Sequence, residues 1–570
     1  MGTEHDRSFH LSRRALLAAT PLAGVAAAGA PILSRVAMAQ DAATPEPAAT
    51  PARQSPSTST KLGPVIPDEL TGAATNWPTA QGNLKATRAA QESPISRDTV
   101  SQLGIAWRYP LDAGGQWGAI TSSPIIVDDT IYLQDAACNV HAISKSSGER
   151  IWRTDFKEVI GGPNGIGIGY GILVVSLGDS GDIAGLDAET GELLWRTPLT
   201  ANPYEPIEIA PVIYDSTAYV STNPTGSGEG QYRGGEKGIF YAVDVSTGNV
   251  LWQWDTTSDN LWGMARINSG GGVWYPVSID DDGNLYFGTG NAAPWPGTEE
   301  FPNGSSRPPE DLYASCMVSL NSETGELRWY LQAKPHDLFD LDFQNTPVLA
   351  TVTVNGADTL VAIGSGKAGT VIAADAETGT EVWRAAVGMH QNDELQEIPE
   401  GETVEVYPGS LGGVETPIAY SDNRVFVPIL NMPGYYTATG SGEGPNGGLN
   451  QSTGQFTALD AATGEVVWDK ETPTGLFAGA TIANDIVFTG GLDGVVRGYG
   501  ATDGELVWTA QTGSGLNAPF SISGDYLIVP SGGPLIPSTD TSNPAPAAAT
   551  EVIAFKLGAE PIASPAATLE

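Results

Sequence analysis

GLDAETGELLW, from Gly185 to Trp195, and ALDAATGEVVW, from Ala458 to Trp468, are two copies of one motif, and that motif decides the fold. Further copies end at Trp152, Trp252, Trp329, Trp383 and Trp508. Each reads as the end of one strand, a tight turn at Thr-Gly or its equivalent, and the start of a second strand carrying the Trp. Successive Trp residues are 40 to 85 positions apart. The short intervals equal one four-stranded propeller blade, and the long ones leave room for loop insertions. A large ring at the same place in every repeat predicts a wedge packed between neighbouring blades.

Short apolar strands recur ahead of the motif, at Ile131-Tyr-Leu, Leu173-Val-Val, Ala218-Tyr-Val, Leu285-Tyr-Phe, Leu360-Val-Ala, Val425-Phe-Val, Ile486-Val-Phe and Tyr526-Leu-Ile. The last is followed by Glu551–Leu557, which lacks the Trp motif, while Ile105-Ala-Trp107 stands unmatched near the other end. Pairing those two segments in one blade closes the ring and removes exposed sheet edges. The expectation is an all-β, eight-bladed β-propeller of four-stranded antiparallel blades, spanning residues 67–557. Residues 537–550 form a low-complexity insertion within it.

Composition agrees. The 570 residues include 70 Gly, 41 Pro and 14 Trp with 41% hydrophobic residues, which favours many short strands over long helices. A formal charge of -39 repels phosphate backbones and anionic lipid, so nucleic acid is excluded as a natural partner, whereas a cationic electron carrier is not. Cys138 and Cys316 are the two cysteines, which leaves no CxxC zinc motif and no CxxCH haem attachment. Whether they pair is open at this stage.

Ser12-Arg13-Arg14, the apolar run from Ala15 to about Ala30 and Ala37-Met38-Ala39 read as a twin-arginine export signal over residues 1–39, with an uncleaved anchor as the alternative. Export to the periplasm, cell surface or exterior follows. Residues 40–66 and 558–570 are Ala, Thr, Pro and Ser-rich and read as a disordered linker and tail. No other segment has transmembrane length and hydrophobicity.

Several local segments resemble the pyrroloquinoline quinone (PQQ) dependent alcohol dehydrogenases. GGGVWYPVSIDDDGNLYFGTGNAAPW, Gly270–Trp295, is similar to the family segment that supplies a Trp floor under the quinone and an Asn metal ligand, here Trp274 and Asn291. PHDLFDLDF, Pro335–Phe343, resembles the segment of the catalytic aspartate, placing it at Asp340. Asp342, two residues on, occupies the position where lanthanide-dependent members carry a second Asp. SGEGQYRG, Ser227–Gly234, puts Glu229 on the first metal ligand, with nearby Glu236 as the alternative. IGSGKAGTVIAADAETG, Ile363–Gly379, offers Lys367 to the quinone oxygens, and Asn431 in VPILNMP, Val427–Pro433, matches a cofactor-contacting Asn.

The resemblance implies an oxidoreductase using PQQ and Ca²⁺ or a lanthanide ion, oxidising an alcohol or aldehyde and handing electrons to an external acceptor such as a cytochrome c. In that reading Asp340 and Lys367 are catalytic, Trp274, Lys367 and Asn431 bind cofactor, and Glu229, Asn291, Asp340 and Asp342 bind metal. The chain departs from the family pattern on the side that holds the quinone carboxylates. The adjacent Cys pair is replaced by Val159 and Ile160, no Arg follows Asn164, the expected Glu is Thr121, and Asp135–His141 lacks an Arg. A non-catalytic propeller serving as a binding scaffold is the competing expectation.

Overall fold

The computed structural model describes residues 61–560 apart from 116, 203, 225–233, 258–259, 443, 445–447 and 535–548. Among the described residues, eight four-stranded antiparallel blades occupy residues 125–154, 166–198, 212–255, 278–332, 348–386, 419–472, 481–511 and 521–557, here blades 1 to 8. Blade 8 takes its outermost strand from the other end of the chain: Leu103–Pro110 pairs antiparallel with Glu551–Leu557. The expected closure by the two ends is thus present.

The repeated motif explains itself in the turn. Asp187 accepts hydrogen bonds at Oδ1 from the N–H groups of Glu189 and Thr190 and from the Thr190 hydroxyl, and Asp375 and Asp460 do the same in the copies that end at Trp383 and Trp468. The carboxylate thereby satisfies turn donors that no strand can reach. Gly191 closes the turn at φ +73°, a conformation costly to residues with a Cβ.

The Trp that follows points to the next blade. Trp329 donates from Nε1 to the Ala376 carbonyl at 2.9 Å, and its ring covers Gly379 of the blade 5 turn. Trp152, Trp195, Trp252, Trp383 and Trp468 repeat this arrangement on Ala188, Val245, Ser322, Ala461 and Ala501. Trp107 does so on Lys145 and Gly148, so a docking Trp does serve blade 8, on the strand contributed by the chain's beginning. Trp508 stands at the seam and packs edge-on against Phe488 and Phe555 instead.

One end of the ring axis is stopped by an N-terminal segment. Trp77, Leu84, Lys85, Thr87 and Arg88 make main-chain hydrogen bonds to inner strands of blades 1, 4, 5, 6 and 7, and Ala89–Ala90 adds a parallel strand to blade 7. Arg88 is fully buried there. Its guanidinium donates to the carbonyls of Ala80, Ala480 and Phe520, to Gln81 and to Thr481, while burial lowers its pKa to about 9. At the opposite end lie the connections between blades and the long insertions, including residues 260–277, 333–347 and 387–418. Function therefore has one free end of the axis on which to be built.

Candidate active site

At that end a cavity of about 180 Å³ is lined by loops from many blades. Trp117 and Thr121 come from the lead-in to blade 1, Gly161 and Gly162 from the next connection, and Trp274 and Tyr275 from the lead-in to blade 4. Asp342, Gln344, Lys367 and Glu415 supply the polar wall. Residues separated by hundreds of positions converge because each inter-blade connection ends at the axis.

The segment Pro335–Phe343 is held by its own buried groups. Asp337 accepts from the N–H groups of Phe339 and Leu341 at 3.0 and 2.7 Å, and His336 bridges the carbonyls of Pro308 and Asn303. This folds Asp340 into the left-handed region, φ +62°, a strained state for Asp that only tight surroundings maintain. Its Oδ2 lies 3.2 Å from Lys367 Nζ. Asp342 Oδ2 lies 2.9 Å from the same nitrogen, and Asp342 Oδ1 accepts from the Asn291 N–H at 2.5 Å.

Thus four of the expected residues, Asn291, Asp340, Asp342 and Lys367, form one bonded cluster. Burial drives the Asp340 carboxyl well above the usual range, with Lys367 opposing and Asp342 reinforcing the rise. Burial works to lower the Lys367 ammonium, but the carboxylates of Asp340 and Asp342 outweigh it and raise it well above its ordinary value. Glu415, buried and hydrogen-bonded to Gln344 at 3.0 Å, is pushed by burial up to about 7.

Other expected residues fall differently. Trp274 lines the cavity. Asn431 is buried in blade 6, where its amide is occupied by the Met389 N–H and the Gln455 side chain, and it is not part of the cavity lining. Glu229 lies outside the described residues. Glu236 is buried, and its carbonyl accepts from Gly270 N–H in the segment leading to Trp274. Cys138 and Cys316 are buried free thiols.

The acidic loop that lacks an Arg is closed on itself: Asp135 accepts from Ala137, from both nitrogens of Asn139 and from His141, whose other ring nitrogen meets Tyr109 at 3.0 Å. Thr121 donates to the Gly162 carbonyl at 3.0 Å and Trp117 to that of Gly161 at 2.8 Å, so both brace the loop facing Trp274. Sequence reading did not single out Trp117, Glu208, Gln344 or Glu415 as site residues. For Glu208 a signal existed, an acid within the apolar run Pro206-Ile-Glu-Ile-Ala210.

The cavity suits a flat, conjugated, polar group. Trp274, Trp117, Tyr275 and Phe477 offer aromatic surface, Lys367 offers a cation, and Gly162 packs so closely on the indole that a Cβ there would meet the Trp274 ring at 2.9 Å. Among the described residues the buried Asn517 Oδ1, in the lining, has no hydrogen-bond partner. The oxygen donors of Asn291, Asp340 and Asp342 suit a hard cation.

An eight-bladed propeller with a carboxylate and lysine cluster at one end of its axis defines a recognisable class. Residues 77–171 and 202–389 match the family model of the glucose, ethanol and alcohol dehydrogenase β-propeller domain, and residues 367–539 match that of the outer membrane protein assembly factor BamB. The chain is 25% identical to a quinohemoprotein alcohol dehydrogenase of Comamonas testosteroni, over 75% of this chain and 68% of that one. It is 26% identical to a lanthanide-dependent methanol dehydrogenase of Methylacidiphilum fumariolicum strain SolV, over 73% and 77%. The Comamonas crystal structure superposes with a TM-score of 0.73 over 87% of this chain and 83% of that chain at 22% identity. This chain belongs to the PQQ-dependent alcohol dehydrogenase family of β-propellers, as a divergent member.

Proposed function

We propose that this chain is an exported quinoprotein dehydrogenase that oxidises an alcohol or aldehyde with PQQ and passes the electrons to an external acceptor such as a cytochrome c. The observation that carries the reading is the Asp340–Lys367–Asp342 cluster, bonded to Asn291 and set beside a cavity walled by Trp274. Similarity to quinohemoprotein and lanthanide-dependent dehydrogenases supports it. The Arg pair at residues 13–14 and the apolar run behind it support export.

Asn291, Asp340 and Asp342, with Glu229, are the residues that would hold Ca²⁺ or a lanthanide ion, the second Asp favouring the more highly charged ion. When bound, the quinone supplies a hydride acceptor and the metal a Lewis acid. Asp340 takes the proton of the substrate hydroxyl, and its raised affinity for protons suits that task. Lys367 holds the negative charge that develops on oxygen during reaction. Trp274 presents a flat face for stacking, and the apolar wall of Leu411 and Phe477 excludes water.

The test is reconstitution of the purified protein with PQQ and either Ca²⁺ or a light lanthanide, followed by dye reduction with a panel of alcohols and aldehydes. Metal-dependent reduction is the expected result. Absence of both activity and retained quinone with every metal would refute the enzyme and leave a binding scaffold.

A further inference from the structure

The turn that carries Lys367 is braced from outside by a histidine that the chemistry above does not use. Lys367 stands between the strands Ala357–Gly366 and Thr370–Asp375 of blade 5, which reverse at Gly369, φ +61°. The His390 ring packs on that glycine so closely that a Cβ there would meet its Cε1 and Nε2 at 3.1 Å. Nε2 lies 3.2 Å from the carbonyl oxygens of both Gly369 and Val387, and Nδ1 lies 2.8 Å from Asp393 Oδ2.

Both ring nitrogens therefore face hydrogen-bond acceptors. A neutral imidazole has one N–H, so either tautomer sets a ring lone pair against oxygen, at Asp393 or at the two carbonyls. The imidazolium alone donates on both sides. Asp393 extends the brace, because its carbonyl accepts from the ammonium of the buried Lys334. Lys334 directly precedes the segment Pro335–Phe343, which carries Asp340. One ring and one aspartate thus join the turn of Lys367 to the segment of Asp340, and the two side chains so joined meet at 3.2 Å.

We infer that His390, as the imidazolium, is a positioning residue: paired with Asp393, it holds the Lys367 turn against the Asp340 segment, and rising pH releases that hold. The tie belongs to the chain by itself, while its place in turnover rests on the quinoprotein reading.

The charged groups around the ring come from two segments. Asp393 lies on the same connection, and its hydrogen bond and charge raise His390 above the ordinary histidine value against the opposing effect of burial. Lys334 approaches from the lead-in to Pro335, turned toward the Asp393 carbonyl and paired with Glu394 at 3.2 Å. Blade 5 presents main-chain carbonyls to the ring. A raised histidine stabilises in full below its unfolded value of about 6.5, and that contribution is lost as pH rises through its higher folded value.

Hydrogen exchange of the purified full chain, without quinone or metal, tests this from pH 5.5 to 9. Rates over residues 364–372 are read by mass spectrometry and corrected for the intrinsic pH dependence of exchange. Wild-type protection is expected to be level below about pH 6.5 and to fall roughly tenfold by pH 9, the size of one lost charge-assisted hydrogen bond. Residues 182–187 of blade 2 should stay level over the same range. His390→Gln should show no transition and remain at the wild type's high-pH protection throughout. Asp393→Asn, which keeps the ring, should move the midpoint down toward the ordinary histidine value. A level wild-type profile, a fall shared by blade 2, or an unchanged transition in either variant overturns the proposal while leaving the quinoprotein reading intact.

Discussion

Lys367→Met is expected to destabilise the fold increasingly as pH rises. Nζ is the shared partner of Asp340 at 3.2 Å and Asp342 at 2.9 Å, with the three side chains 13%, 15% and 2% exposed. Removing one partner of a buried ion pair leaves an uncompensated charge and costs about 3–5 kcal/mol. A domain of this size has an unfolding entropy of roughly 1 kcal/mol per degree, so the melting temperature should drop by about 3–5 °C at pH 8. The sign with pH follows from Asp340, whose folded pKa is already raised by burial. A raised carboxyl stabilises the fold while protonated and loses that contribution as pH rises from its unfolded value through its folded one. Without the lysine, which lowers that pKa in the native protein, the loss becomes larger, so the gap from wild type should widen between pH 5 and pH 8. Melts of the metal-free protein followed by circular dichroism at both pH values measure it. A variant that melts within 1 °C of wild type at pH 8, or whose deficit is larger at pH 5, would refute the cluster's electrostatics. Adding Asp342→Asn should recover part of the loss by removing one of the stranded charges.

Asp340→Asn should reduce dye-linked alcohol oxidation by about 10²–10⁴-fold while leaving the PQQ retained after reconstitution within a few fold of wild type. Asp342→Ala should impair lanthanide-supported turnover more than Ca²⁺-supported turnover, and equal losses with both ions would remove Asp342 from the ligand set. Trp329→Ala should cost about 3–5 kcal/mol, read as a lowered denaturation midpoint, because it empties the wedge over Gly379 and removes the indole hydrogen bond to the Ala376 carbonyl. Gly191→Ala should destabilise by about 1–2 kcal/mol, since the new Cβ meets a positive φ and the Trp152 ring together.

The ring was legible in the chain because each blade is a local object. Strand alternation, the Asp-x-x-Thr-Gly turn and its Trp all lie within a dozen residues, so the seven motif copies and the closing segments Ile105-Ala-Trp107 and Glu551–Leu557 could be read without coordinates. The role of Trp107 as a docking ring was not legible, because the strand that carries it lies far from its blade in sequence. Asn291, Asp340, Asp342 and Lys367 were found by likeness of short segments, which records residue identity but not contact.

What tertiary structure alone decided is which of those groups share a charge and which atoms are left unpaired. Lys367 became the bridge between Asp340 and Asp342, Asn431 was drawn into bonds with Met389 and Gln455, and Glu208 came to face Gly162 and Trp274 from another connection. The physical reason is range. Turn chemistry and strand period act between near neighbours, whereas burial, charge pairing and an orphaned oxygen depend on what the closed ring brings to its axis from blades far apart in the chain.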